Sequence, residues 1–187
     1  MYRLTTRWIE EQIPYTGREL RSHFALEKWG IVGDNIVAFI GECRVSREHL
    51  VDLLDAQANA TIYSPLMLHF LGEFFNDDLE KAIWRQRLFI TLLKEKWESL
   101  VPKNRLRREG NDLYEKDKKL SVSIATATPL STLLHVGVNI ETEGTPVPTV
   151  GLREERIDPV VFAKEVLQQF VQEFDGVYHD LCKVRSV

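Results

Sequence analysis

Ile36-Val37-Ala38-Phe39-Ile40 is an unbroken apolar run of β-branched, small and aromatic side chains. Successive side chains of a strand point to opposite faces, so a run without alternation has to be covered on both. Such a strand sits in the middle of a sheet and needs chain packed above and below it. The turn-like Gly33-Asp34-Asn35 precedes it and polar residues follow Gly41, which bounds the strand at 35–45.

The rest of the chain supplies the cover. Thr16-Gly17-Arg18-Glu19 has capping-box spacing and Gly30 is a natural stop, predicting a helix over 17–29 that turns Leu20, Phe24, Ala25 and Trp29 inward. Ser46 is placed to cap a short helix through His49, Leu50, Leu53 and Leu54, and Thr61-Ile62-Tyr63 reads as a brief strand or extended link. Leu66 to Phe75 reads as a helix, in which His69 and Glu73 lie one turn apart, a spacing shared by metal pairs and by an ordinary half-buried histidine. Asp77-Asp78 opens the longest helix, over 78–99, with Leu79, Ile83, Ile90, Leu93 and Trp97 in one stripe. Trp29, Trp84 and Trp97 are assigned to the core. From Arg105 to Glu141 three β patterns suggest a meander, 142–151 a loop, and Asp158-Pro159 the start of a final helix through Phe162, Val166, Phe170 and Phe174. The prediction is one α+β domain over 1–187, a mixed, mostly antiparallel sheet flanked by helices.

Composition narrows the function classes. A formal charge of −4 over 187 residues provides no basic field for broad nucleic-acid binding. The apolar runs are too short to cross a membrane, and Met1-Tyr2-Arg3-Leu4 has no signal-peptide character, so a cytoplasmic protein without membrane partners is expected. Cys43 and Cys182 are far apart and in no metal-binding motif. A homodimer is an open option for the assembly.

Two segments alternate strictly. Leu120, Val122 and Ile124 oppose Lys119, Ser121 and Ser123, while Leu134, Val136, Val138 and Ile140 oppose His135, Gly137 and Asn139. If the chain turns between Ala127 and Ser131 the strands pair, and their polar residues are expected on one shared surface. Small neutral polar groups beside a glycine suit a ligand-binding floor; a solvated sheet face is the alternative.

Asn111-Asp112-Leu113-Tyr114 through Lys119-Leu120-Ser121 resembles the stretch of biotin protein ligases in which an Asn-Asp pair precedes a lysine-leucine dipeptide on the next strand. His135-Val136-Gly137-Val138-Asn139-Ile140 is similar to the same family's Gly-x-Gly-x-Asn strand, with His135 at the first glycine position. The order of the elements resembles the catalytic domain shared by biotin and lipoate protein ligases, related to class II aminoacyl-tRNA synthetases. With Arg21-Ser22-His23 and Ser123-Ile124-Ala125-Thr126, the whole chain looks most like an uncharacterised archaeal and bacterial family with that fold.

The resemblance implies ATP-dependent activation or transfer of a small carboxylic acid, with ATP and Mg²⁺ as cofactors. Lys119 would contact the acid's carboxylate and the phosphate, and Asp112, beside Asn111, would serve the ATP and metal side. A lysine offsets the repulsion of two anions brought together, and a carboxylate can hold Mg²⁺ on phosphates. Asp112 and Lys119 can converge across a turn, where an exposed ion pair is the alternative. Ser121, Ser123, His135, Gly137 and Asn139 would line the ligand site. Arg21 and His23 fall where the ligases begin a ligand-contacting segment, and are otherwise solvated helix residues.

Two positions depart from the ligase pattern. Gly41-Glu42-Cys43-Arg44-Val45-Ser46-Arg47 carries one glycine where the ligases have a Gly- and Arg-rich loop, leaving Arg44 and Arg47 as phosphate contacts or surface charges. Val122 replaces a glycine, which points away from biotin itself. A non-catalytic ligand- or nucleotide-binding regulatory module is the alternative, and ATP-independent acyl transfer through a Cys43 thiol a third reading.

Overall fold

A computed structural model describes residues 4–186. The elements run β1 (Thr5–Trp8), α1 (Phe24–Trp29), β2 (Asn35–Val45), α2 (Leu53–Gln57), β3 (Ile62–Phe75), α3 (Leu79–Leu100), β4 (Arg107–Glu109), β5 (Asp112–Glu115), β6 (Lys118–Lys119), β7 (Ser121–Ala127), β8 (Ser131–Glu141) and α4 (Pro159–Lys183). The main sheet has the order β1-β2-β3-β8-β7, and β4-β5-β6 form a second, smaller sheet. Within the named strands only the β1–β2 pairing is parallel. This is the mixed, helix-flanked α+β architecture expected.

Both faces of the β2 run are covered, each by different chain. Ile36 and Ala38 join Leu68, Phe70, Val136 and Val138 under Phe89, Leu93, Trp97, Phe162 and Phe170 of α3 and α4. Val37 and Phe39 face the other way, against Ile9, Ile13, Tyr15, Ala25 and Ile31. Residues 9–15 also close the edge of β2, where Ile13 N–H donates to Ile40 O (2.9 Å) and Tyr15 N–H to Glu42 O (2.8 Å).

Leu66 to Phe75 is a strand and not the expected helix. β3 lies in the middle of the sheet, hydrogen-bonded to β2 and β8, and covered on both faces. A strand in that position has no polar side, so its apolar run carries no period that separates it from a buried helix. Pro65 is tolerated because the registers with both neighbours slip around it, between Gly41 and Cys43 and between Leu66 and Met67.

Other boundaries shift for local reasons. Thr16 N–H donates to Glu19 Oε2 (2.7 Å) as a capping box would, but the bond closes a turn and α1 begins only at Phe24. Ser46 precedes a single turn at Arg47–His49 without a side-chain cap, while Asp52 caps α2. Asp158 caps α4 through Val160 N and Val161 N, as the Asp-Pro signal predicts. Trp97 is fully buried, Trp29 half-buried, and Trp84 exposed, because α3 lies on the sheet by one narrow side. The expected meander divides at Leu120 between the two sheets.

Candidate functional site

That division determines the site. Leu120 is buried in the main core and Ser121, its neighbour, is also fully buried, so alternation breaks where the chain steps from β6 to β7. In the β7–β8 register Ser121 faces Val138 and Ser123 faces Val136, while Val122 faces Gly137 and Ile124 faces His135. Directly paired residues share a face. The serines therefore lie on the helix side, and Val122 and Ile124 accompany His135 and Gly137, which corrects the expected all-polar floor. Ser121 Oγ accepts Leu113 N–H (3.1 Å) and does not line the cavity. Ser123 Oγ donates to Asn111 O (2.9 Å) and accepts from Gln86 Nε2 (2.8 Å), while Asn111 Nδ2 donates to Ser123 O (2.8 Å). These bonds join the small sheet to the large one and to α3.

A cavity of about 450 Å³ opens on the other side of β7 and β8. Lys119, Asp112, Asn111, His135 and Asn139 line it, with Val122, Ile124, Met67 and Ile62 as apolar wall; Ser123 borders it too, but its hydroxyl is committed to Gln86 and Asn111. Lys119 is held by its backbone: its N–H donates to Pro148 O (2.9 Å), its carbonyl accepts Val150 N–H (3.1 Å), and Asn139 Nδ2 donates to the same carbonyl (3.2 Å). The Lys119 ammonium lies 2.8 Å from Asp112 Oδ2, both side chains about one-quarter exposed, and 6.0 Å from the Tyr114 ring centre. Asp52, Asp55 and Asp117 add acidic groups to the rim.

Gly137 is not open to a ligand. A Cβ there would lie 3.0 Å from Met67 Sδ and 3.2 Å from Val122 Cγ2, so the missing side chain accommodates Met67. Arg21 and His23 also lie outside the cavity. Arg21 pairs with Glu27 at 2.5 Å, and His23 N–H donates to Glu73 carboxylate oxygens at 3.0 Å, because the chain turns sharply at His23 (φ 64°) before α1.

The deep wall adds Tyr15, which sequence patterning does not single out, and a contact between His135 and His69 that it does not foresee. His135 stacks on Tyr15 with ring centres 3.7 Å apart and planes at 7°. His135 Nε2 is 3.0 Å from His69 Nδ1, and His69 Nε2 is 3.3 Å from Gly41 O. His69 is thus a fully buried member of a histidine pair, with no metal partner in Glu73, which instead accepts Ser131 Oγ–H at 2.6 Å. Burial pushes the His69 pKa down to about 3; burial and the neighbouring His69 hold His135 well below its ordinary value. Cys43 is buried beside this cluster and its thiol is pushed up to about 12, chiefly by desolvation, so it is unsuited to nucleophilic acyl transfer. Among the described residues no group of three or more His, Cys, Asp or Glu could hold a metal ion, and no helix is long and apolar enough to cross a membrane.

This sheet, with the two long helices α3 and α4 on one face and the cavity on the other, is the fold of biotin and lipoate protein ligase catalytic domains. Biotin protein ligase from Aquifex aeolicus superposes with a TM-score of 0.58 at 14% identity, covering 94% of this chain and 70% of that one. A putative lipoate protein ligase from T. acidophilum with bound lipoic acid gives 0.53 at 16%, covering 93% and 85%. A protein of unknown function from Pyrococcus horikoshi agrees far more closely, with a TM-score of 0.93 at 37% identity over 98% of this chain and 99% of that one. An uncharacterized protein of Methanocaldococcus jannaschii is 34% identical over 94% of this chain and 82% of its own length. Residues 4–185 match the family described as Domain of unknown function (DUF366), and the chain belongs to it.

Proposed function

We propose that this protein binds a small carboxylic acid in the cavity and activates it with ATP. The observation that supports this most directly is the Lys119–Asp112 pair at the cavity wall, an ammonium positioned by backbone bonds on both its sides. Lys119 would exchange part of its contact with Asp112 for the acid's carboxylate, and hold that oxygen against the phosphate it must approach. ATP supplies the phosphorus electrophile and pyrophosphate the leaving group. An open groove lined by Arg18, Arg44 and Arg47 shares Val45, His49, Ala60 and Thr61 with the cavity, and suits the remaining phosphates. Mg²⁺ characteristically binds through one or two carboxylates plus phosphate oxygens, so Asp112 fits as its protein ligand without a preformed cluster. The test is acid-dependent ATP–pyrophosphate exchange by the purified protein over a panel of small acids. Absence of exchange with every acid, in protein shown to be folded, overturns the reading.

A binding module without turnover is favoured by one observation, the use made of Gly41. A Cβ at Gly41 would lie 1.8 Å from Ile13 O, so the single glycine of 41–47 serves packing and leaves no glycine for a phosphate-wrapping loop. Raised thermal stability with an acid or ATP, without exchange, supports this second reading.

A further inference from the structure

The two buried histidines transmit a fixed proton pattern from the backbone to the cavity. Gly41 O can only accept, so the 3.3 Å contact requires the proton of His69 on Nε2. A neutral imidazole has one N–H, and with His69 neutral its Nδ1 is then an acceptor. The 3.0 Å contact from His135 Nε2 to that Nδ1 therefore needs the His135 proton on Nε2. This leaves His135 Nδ1 with a bare lone pair. That nitrogen has no hydrogen-bond partner among the described residues and is not one of the sealed, unpartnered polar atoms. His135 lines the cavity; the Tyr15 ring stacked on it fixes the plane of the imidazole, and the contact with His69 fixes which nitrogen faces inward.

We propose that His135 Nδ1 is a specificity element that accepts a hydrogen bond from a neutral O–H or N–H donor on the ligand, remote from its carboxylate. The inference rests on the reading of the cavity as a carboxylic-acid site. Asn139, which holds Lys119 O, is four residues along β8 from His135, roughly 13 Å at the usual strand rise. The ligand class is consequently an elongated acid with a donor near its far end and an apolar middle against Val122 and Ile124. A positively charged far end is disfavoured by the apolar wall, and a pure acceptor meets the lone pair of Nδ1 with one of its own.

The experiment compares ω-hydroxyoctanoate with its ω-methoxy ether by calorimetric titration of the whole protein. The alcohol is expected to bind at least tenfold more tightly. His135→Phe, which keeps a ring under Tyr15, should bind the two alike, whereas Lys119→Ala should weaken both by a similar factor. In parallel, long-range proton–nitrogen correlation spectra of the ¹⁵N-labelled, ligand-free protein should show His69 and His135 both protonated on Nε2, a readout that needs no variant to fold. A proton on His135 Nδ1, or equal binding of alcohol and ether to the wild type, overturns the inference while leaving the carboxylic-acid reading intact. Failure of both acids to bind overturns the pair of them.

Discussion

Lys119 and Asp112 are separated in sequence by one turn, and the ion pair they form could be foreseen from that spacing alone. Each side chain keeps about a quarter of its surface at the solvent-accessible cavity, which screens the pair, so its net worth to the fold is small, about 1 kcal/mol. Lys119→Ala should therefore leave the denaturation midpoint nearly unchanged while lowering acid-dependent exchange by about 100-fold or more, the usual effect of removing a group that offsets developing charge. Equal losses of stability and exchange would reduce the pair to a hairpin strut. The histidines behave oppositely. His69 binds a proton near pH 6.5 when unfolded and only near about 3 when folded, so its stabilising effect is complete above pH 6.5 and is lost as pH falls towards 3. His69→Gln, which retains a donor and an acceptor, should flatten the fall of stability with pH by up to about 1.4 kcal/mol per pH unit, measured by urea denaturation from pH 7 to pH 4. This pair was hidden in the sequence because His69 and His135 meet only through the β3–β8 register, which sets His69 opposite Gly137 and leaves His135 two residues along.

Elements differ in how far their own residues define them. β2 is legible because five apolar residues in a row between turn signals leave little else for the chain to form, and α4 because Asp158-Pro159 marks its first turn. β3 is illegible for a related reason: covered on both faces and both edges, it has neither the alternation of a half-buried strand nor an edge-strand signal. The segment covering β2 is equally silent, since Ile9 to Tyr15 is only an irregular stretch until Gly41 allows it to approach. Gly41→Ala would drive a methyl into Ile13 O, and the covering segment, with Tyr15, would have to move. A loss of about 3 kcal/mol or more in unfolding free energy is expected, accompanied by a changed His135 environment in the spectra described above. A variant as stable as the wild type would mean that residues 9–15 do not hold this position in solution.

At the level of the molecule, the motif resemblances at 111–121 and 135–140, with the order of elements in support, are what make the ligase-like fold legible in the sequence, whereas the cavity is not legible, because the loop at 145–149, the α2 region, the small sheet and the main sheet all contribute to it. The core ends before the chain does. Phe170 is the last fully buried residue of α4 and Phe174 the last packed against the core, while Val177, Leu181 and Val184 are each more than 60% exposed. Ending the chain after Asp175 should lower the melting temperature by less than about 4 °C, the shift expected of 1 kcal/mol in a chain of this size. A larger fall, dependent on protein concentration, would indicate that a second copy covers this apolar stripe in solution.

The slip at Leu120 divides labour between neighbouring residues of β7. Positions 121 and 123 are addressed to the scaffold, one hydroxyl taking up an amide of the small sheet and the other joining α3 to Asn111. Positions 122 and 124 are addressed to whatever occupies the cavity. Substitutions at alternate positions of this one strand should therefore separate cleanly, those at 122 and 124 reshaping the cavity wall and those at 121 and 123 loosening the joint between the two sheets.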